Sequence, residues 1–337
     1  MQTIETHAYA RAALAGNPSD GYFGKTLSLC LSDFSARVVL TASETLEIVP
    51  SREDLAQFAS IREMADDVRR NGYYGGLRLV KAALKKFVDY CDVHQIELPA
   101  DHNFSLRYET DIPRQVGLAG SSAIITATWR ALMQHYRVLV PREVLPAWVR
   151  ATEQEELGIT GGLQDRVAQS YGGLVFMDFE RTKLERDGFG SYEPLDVSLL
   201  PPLYLAYATR FAEESGVVHN DLRARWESGD ENVHKVMQGL GTVAQAARDC
   251  LMEGRAHELG ALINANFSLR CCIVPISPSH LQMVEVAMSC DASAHFAGSG
   301  GAIIGTFEND ATFARLEEKL GEFGCRVLKP HVAPTSL

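Results

Sequence analysis

The sequence predicts an α+β protein, because helix-like and strand-like segments are mixed along it without the regular β–α–β alternation of a doubly wound sheet. Strand-like runs of β-branched or other apolar residues lie at 36–49, 174–179, 203–208 and 302–307. The composition, with 46% hydrophobic and 22% charged residues, is that of a globular protein and excludes a disordered chain. A length of 337 residues suits about two domains.

The helices follow from the spacing of apolar side chains. Apolar residues at helical spacing predict helices over 121–135, 143–157 and 243–251. Between two of the predicted strands, the stretch 181–202 is charged and punctuated by Gly and Pro. We therefore expect this stretch to be a linker at which the chain divides.

Charge and cysteine content limit the partners and the compartment. The net charge is 32 − 43 = −11, which argues against binding to a nucleic acid backbone. No apolar run reaches the roughly 18 residues that a membrane helix needs. The seven cysteines form no C-x-x-C pair, so neither a disulfide framework nor a cysteine zinc site is expected. We expect a cytoplasmic protein with no nucleic acid or membrane partner, and the oligomeric state stays open.

The segment with the clearest chemical pattern is 113–123, in which glycines and serines directly precede a predicted amphipathic helix. Glycines let the backbone approach an anion closely, and a helix N-terminus offers free N–H groups and a positive dipole end. Ser121 and Ser122 lie where hydroxyls can bind phosphate oxygens or a magnesium ion. The same residues fit a flexible loop with a serine N-cap, so the pattern by itself leaves both interpretations open.

Two further segments combine glycine with polar residues. Residues 11–20 (RAALAGNPSD) place Arg, Asn and Asp around a turn, which suits either a polar substrate site or a surface turn after a strand. Residues 153–165 (EQEELGITGGLQD) break a helix at Gly158 and present Asp165 after a Gly-Gly turn. Acidic residues around such a turn suit metal binding and general base catalysis, but glutamates on a helix also form solvated faces.

Three segments resemble, in chain order, the motifs of the GHMP (galacto-, homoserine, mevalonate and phosphomevalonate) kinase family: 11–20, 117–123 and 296–302. Within this family the sequence is most similar to the glucuronokinases, through 10–28, 72–80, 112–124, 156–179, 225–230 and 266–270. The resemblance implies the family's two-domain fold, with the active site in the cleft between the domains. The N-terminal domain (1–190) would resemble ribosomal protein S5 domain 2, and the C-terminal domain (191–337) would be ferredoxin-like.

The resemblance also implies an activity: ATP-dependent, Mg²⁺-requiring phosphorylation of the anomeric hydroxyl of D-glucuronate to D-glucuronate 1-phosphate. Asp165 matches the family's catalytic carboxylate and Arg11 its basic partner, while Glu153 and Ser122 match the magnesium ligands. The nucleotide phosphates would be held by Gly117, Leu118, Ala119, Gly120, Ser121, Ser122 and Ala123.

A sugar acid brings a carboxylate, which calls for an Arg or Lys partner. The first candidates are Lys25 and Arg270, followed by Arg114 and Arg225. Two alternatives stay open: a kinase of this family acting on galacturonate or a neutral hexose, and a non-catalytic sugar sensor on the same fold. Further substrate contacts are expected from Asn17, Asp20, His219, Gly298 and Gly300.

Overall fold

The structure, a computed structural model, describes residues 3–51, 54, 60–62, 75–209 and 216–335, without the side chains of 216–220. The strands are β1 (Thr3–Ala15), β2 (Lys25–Ala42), β3 (Glu47–Val49), β4 (Phe104–Thr110), β5 (Leu174–Asp178), β6 (Ser191–Leu195), β7 (Leu203–Ala208), β8 (His295–Phe296), β9 (Ala302–Thr306) and β10 (Cys325–Leu328). The helices are α1 (Gly76–Val93), α2 (Gly120–Tyr136), α3 (Leu145–Leu157), α4 (Gln164–Tyr171), α5 (Arg181–Asp187), α6 (Gly216–Glu227), α7 (Glu231–Met252), α8 (Leu259–Cys271), α9 (Pro278–Met288) and α10 (Asp310–Glu322).

The first sheet is built around the long strand β2. Its first residues pair with β5, its last residues pair with β4, and β1 runs antiparallel along it. The order is β3-β4-β2-β5-β6, with β1 on β2. The helix α2 packs across β1 and β2, and its N-terminus lies beside the C-terminal half of β1, where the Arg11 N–H donates to the Leu118 carbonyl at 3.1 Å.

The stretch 181–202 is not the featureless linker that its composition predicts, because it contains α5 and β6. The Glu180 carboxylate accepts hydrogen bonds from the N–H groups of Thr182 and Lys183 and so starts α5. The strand β6 then pairs with β5 and completes an edge of the first sheet. These local bonds outweigh the turn-forming composition, and the first sheet extends through Leu195 rather than ending before 190.

The second sheet has the order β10-β7-β9-β8, and all its pairs are antiparallel. Numbered within this half of the chain, the strand order is 4-1-3-2, with helices after the first and third strands, which is the ferredoxin-like topology. The predicted α+β class and the predicted architecture of the C-terminal half are confirmed. Among the described residues, no helix combines the length and apolarity needed to cross a membrane.

The two sheets are joined where β1 ends. Residues 10–15 of β1 are buried without alternation, and four of these six residues are alanine, so other elements approach both faces closely. The Ala13 N–H donates to the Ala297 carbonyl, just after β8, at 2.9 Å. The helix α7, from the second half of the chain, packs against β2. Polar residues that follow β1 therefore lie at the junction of the two sheets.

The C-terminal segment returns to the first sheet. The Ala333 N–H donates to the Cys30 carbonyl at 2.9 Å, and Val332 forms a bridge with Leu31. Ala333 is fully buried beside Cys30 and Val167, whereas its neighbour Pro334 is exposed.

We expect Ala333→Asp to lower the free energy of unfolding by about 3 kcal/mol or more, because it buries a carboxylate with no partner. The matched variant Pro334→Asp adds the same charge at an exposed position and should change stability little. Urea denaturation of the three proteins measures the difference. Equal stability of the two variants would show that the C-terminal segment does not hold the sheet.

Candidate active site

A cleft of about 490 Å³ opens where the end of β1, the N-terminus of α2 and the turn between β8 and β9 meet. Two residues that sequence patterns placed in different segments, Asp165 and Ser121, line this one cleft. The predicted site residues that line it are Arg11, Asn17, Asp20, Gly117, Leu118, Ala119, Gly120, Ser121, Asp165 and Gly298.

Arg11 and Asp165 form the central ion pair of the cleft. Arg11 Nη2 lies 2.5 Å from Asp165 Oδ1, and the other terminal nitrogen of Arg11 donates to the Ala297 carbonyl. Arg11 is 4% exposed and the Asp165 side chain 19%, so both line the cavity and the carboxylate is the more accessible member of the pair. A guanidinium in contact with a carboxylate stabilises its charged form. Asp165 also lies 3.4 Å from Arg166 Nη1, a weaker contact.

The N-terminus of α2 is open to the cleft. Its N-cap residue, Ala119, adopts a left-handed conformation with φ of 62° and has no side chain able to cap the helix. The first N–H groups of a helix have no partner within it, so those of α2 are available to an anion. The interpretation of a serine N-cap does not hold, because both serines lie after the cap, inside the helix.

The loop before α2 is in backbone contact with the glycine turn after β8. A Cβ on Gly298 would lie 2.0 Å from the Gly117 carbonyl oxygen, and a Cβ on Gly117 would lie 2.8 Å from the Ser299 nitrogen. Only glycine permits this approach at either position. The two glycine-rich segments, one from each half of the chain, therefore form one wall.

Ser121, near the start of α2, lies beside Glu153 of α3. Ser121 Oγ donates to Glu153 Oε1 at 2.7 Å, and Arg166 Nε donates to Glu153 Oε2 at 2.7 Å. Glu153 is fully buried. Ser122 is 1% exposed, and its hydroxyl donates to the Ala119 carbonyl of its own helix. The geometry therefore favours Ser121, which lines the cleft, over Ser122 as the serine able to bind a ligand there.

Asp20 forms a buried polar cluster with Asn17 and Gln164. The Gln164 side-chain amide donates to Asp20 Oδ1 and to Asn17 Oδ1, both at 2.8 Å, and the Gln164 backbone N–H donates to Asp20 Oδ2 at 3.1 Å. Burial raises the pKa of Asp20 to about 6, against the lowering effect of the Gln164 hydrogen bond. The cluster presents hydroxyl-binding groups to the cleft near the Asp165 carboxylate.

The two cations first expected to meet a substrate carboxylate do not line the cleft. Lys25 Nζ lies 3.1 Å from Asp178 and donates to Gln245 at 2.8 Å, in a separate cavity. Arg270 is buried, and its terminal nitrogens donate to the carbonyls of Gly298 and Ser299 at 2.6 and 2.8 Å. Burial lowers the pKa of Arg270 to about 10. Arg270 thus holds the glycine turn, and neither side chain is placed to bind a ligand in the cleft.

Other expected residues have structural roles or lie outside the described part. Arg225 bonds Asp230 and the Ile273 carbonyl, so it holds the end of α6. Gly300, like Ala123, is buried and does not line the cleft. The side chain of His219 lies outside the described residues. Of the candidate cations for a carboxylate, Arg114 is the one that lines the cleft.

The cleft residues that were not among the predicted site residues include Gln164, Arg166 and Arg223. Gln164 and Arg166 flank Asp165, and the charged, polar start of α4 was a usable signal for them. Arg223 belongs to α6, whose contact with the turn after β1 has no local signature in the sequence.

Comparison with known proteins assigns the fold and the class. Residues 78–173 match the family model of the GHMP kinases N terminal domain. Lactococcus lactis galactokinase complexed with galactose superposes with a TM-score of 0.76 at 15% identity, covering 99% of this chain and 95% of that one. Methanococcus jannaschii mevalonate kinase superposes with a TM-score of 0.71 at 17% identity, covering 98% of each chain. The chain therefore has the fold of these two proteins.

Sequence similarity to a curated relative assigns the family and the type of reaction. The chain is 42% identical to glucuronokinase 1 of Arabidopsis thaliana over 342 aligned positions, which cover 99% of this chain and 93% of the relative. The chain belongs to the GHMP kinase family, as its three ordered motifs indicate, and it is a sugar kinase, a phosphotransferase with an alcohol group as acceptor.

We expect Gly298→Ala to disrupt the contact between the two glycine-rich segments, because the new methyl group would overlap the Gly117 carbonyl. Such overpacking costs about 1–3 kcal/mol, and displacing the wall by about 1 Å can reduce turnover by roughly 10²-fold. Thermal unfolding and kcat/KM for a sugar substrate measure both effects. The control Gly321→Ala, where a Cβ meets nothing within 4 Å, should preserve both, and equal behaviour of the two variants would contradict the close contact.

The raised pKa of Asp20 predicts a pH-dependent contribution to stability. Between pH 4 and 6 the folded chain holds a proton on Asp20 that the unfolded chain has released. The contribution of this proton to the free energy of unfolding is therefore fully present below pH 4. It is lost as the pH rises through about 6, and the total loss is about 3 kcal/mol. We expect the difference in free energy of unfolding between the native protein and Asp20→Asn to fall by this amount from pH 4 to 7. A difference independent of pH would contradict burial of an ionisable Asp20.

Proposed function

We propose that this sugar kinase transfers the γ-phosphoryl group of ATP to the anomeric hydroxyl of D-glucuronate, giving ADP and D-glucuronate 1-phosphate. The observation that carries the proposal is the placement of the Asp165 carboxylate in the same cleft as the open N-terminus of α2. The similarity to a glucuronokinase over 99% of the chain supports the choice of sugar.

In this proposal the helix terminus and the loop bind the triphosphate, because phosphoryl transfer depends mainly on positioning and charge stabilisation. Backbone N–H groups of Gly120 and Ser121 point to phosphate oxygens. Asp165 accepts a hydrogen bond from the anomeric hydroxyl, orients it towards the γ-phosphorus and takes up its proton as the oxygen–phosphorus bond forms. The anomeric hydroxyl is the most acidic hydroxyl of the sugar, which suits a carboxylate base.

One protein oxygen near the helix terminus, the Ser121 hydroxyl, is open to Mg²⁺ carried by the nucleotide. Among the described residues no cluster of three or more His, Cys, Asp or Glu side chains forms a protein-only metal site. Mg²⁺ commonly takes one or two protein oxygens and completes its shell with phosphates and water. The Ser121 hydroxyl lines the cleft and would supply one such oxygen. Glu153, which accepts the Ser121 hydrogen bond at 2.7 Å, is fully buried and paired with Arg166, so it would act by orienting Ser121. When bound, Mg²⁺ would neutralise charge on the β- and γ-phosphates.

The test is an assay with ATP, Mg²⁺ and one sugar at a time: D-glucuronate, D-galacturonate or D-glucose. We expect ADP formation to be fastest with D-glucuronate. Because phosphorylation at the anomeric position prevents ring opening, the product should no longer react as a reducing sugar. Faster turnover of glucose, or a product that still reduces, would refute the proposed substrate or the proposed position.

The role of Asp165 is tested by Asp165→Asn, which keeps the size of the side chain and removes its charge. We expect kcat to fall on the order of 10²-fold or more, because the amide cannot accept the hydroxyl proton. The matched variant Asp178→Asn removes a carboxylate that pairs with Lys25 outside the cleft, and it should keep near-native kcat. Near-native turnover by Asp165→Asn would remove Asp165 from the chemistry.

A further inference from the structure

One cation in the cleft, Arg223, has no role in the arrangement described so far. Its side chain is half-buried and lines the same cavity as Asp165. The guanidinium lies over the Tyr22 ring, 4.9 Å from its centroid, and one nitrogen lies 3.6 Å from where a Cβ on Gly21 would be. Within the described part of the chain, no hydrogen bond or ion pair engages Arg223. Its charge is therefore available to a ligand.

The remaining cleft arginines are engaged or lie elsewhere along its wall. Arg11 is paired with Asp165, and Arg166 with Glu153. Arg114 lies three residues before Gly117, in the segment that leads into the loop before α2. Arg78 is in the first turn of α1, a helix whose Gly76 abuts Tyr108 of β4. Arg223 differs from all four, because it lies beside the turn that follows β1.

That turn is the part of the cleft best suited to a sugar. It holds Asn17 and Asp20, whose oxygens and amide suit sugar hydroxyls. Charges on Asp20 and Arg223 both act on the Tyr22 hydroxyl, so both groups lie near Tyr22. Arg11 and Arg166 act on the buried Asp20 carboxylate, but each already pairs with a protein carboxylate, Asp165 and Glu153 respectively. An anionic sugar at this turn therefore needs a further cation. Among the described arginines that line the cleft, Arg223 is the one beside this turn without a protein carboxylate partner.

We propose that Arg223, whose guanidinium lies over the Tyr22 ring, forms the subsite that binds the substrate's carboxylate. A planar guanidinium offers two parallel N–H donors that match the two oxygens of a carboxylate, and stacking on an aromatic ring fixes its orientation. In a hexuronic acid ring the carboxylate is carried by C5, which shares the ring oxygen with the anomeric carbon. With the anomeric oxygen at Asp165, the proposal therefore places the carboxylate at the turn that carries Tyr22, which lines the same cavity. This inference rests on the proposed function, because it takes the sugar acid as the substrate.

The test combines a change in the protein with a change in the substrate. The kinetic constants of the native protein, Arg223→Met and a control are measured with D-glucuronate, with D-glucuronamide, whose carboxylate is replaced by a neutral amide, and with D-glucose. The control is Arg181→Met, because Arg181 likewise lies over an aromatic ring, 4.2 Å from the centroid of Phe23, but outside the cleft.

We expect Arg223→Met to lower kcat/KM for D-glucuronate by about 30-fold or more, mainly through a higher KM, because it removes one partner of a charge pair. Activity with D-glucuronamide and D-glucose should change less than threefold, which also shows that the variant is folded. Arg181→Met should leave all three substrates unaffected. An equal loss with all three substrates, or no loss with D-glucuronate, would overturn the subsite while the proposed function stands. If the native protein does not prefer D-glucuronate over D-glucose, the proposed function fails, and the subsite fails with it.

Discussion

The two terminal nitrogens of Arg11 contact two different segments of the chain, and the rest of the site depends on this double contact. One nitrogen donates to the carbonyl of Ala297, which follows β8 in the second sheet, and the other pairs with Asp165 at the start of α4. Its own backbone N–H bonds Leu118, in the loop before α2. A single buried residue on β1 thus connects the three segments that carry the family's motifs with Asp165, the carboxylate that we propose acts in catalysis.

This arrangement explains why so polar a cleft forms in a chain with a net charge of −11. Buried charges are tolerated where they are paired, and the cleft pairs Arg11 with Asp165 and Arg166 with Glu153. The small residues at the end of β1 let the second half of the chain approach, and the glycines of two turns bring their backbones into contact. The ion pairs are therefore fixed by the fold before any ligand binds.

Much of the fold could be predicted from the sequence, because the relevant signals are local. Apolar spacing predicted α2 and α3, and the strand β7 has the predicted bounds 203–208. The stretch 181–202 was mispredicted as a linker, since a capping carboxylate and pairing with β5 outweigh its composition. Motif resemblance identified which segments meet at the cleft. Contacts between segments far apart in the sequence cannot be predicted from periodicity alone.

The site was predicted less completely, because residue type does not reveal a side chain's partner. Lys25 and Arg270 both have the charge that a carboxylate needs. However, Lys25 pairs with Asp178, and Arg270 donates to two backbone carbonyls of the glycine turn. Ser121 and Ser122 are adjacent and chemically equal, and only the helix geometry directs one of them into the cleft. Arg223 reaches the cleft through the packing of α6 near Tyr22, a contact between segments about 200 positions apart in the sequence.

The coupling between Arg11 and Asp165 can be measured most directly by a double-mutant cycle on the rate of phosphoryl transfer in a single turnover. The cycle compares the native protein, Arg11→Met, Asp165→Asn and the double variant, each checked for folding by circular dichroism. If the pair acts as one unit, the double variant is no slower than the slower single variant, because removing either partner already abolishes the unit. If the two losses multiply, Arg11 and Asp165 act independently, and the ion pair is not the interaction on which catalysis depends.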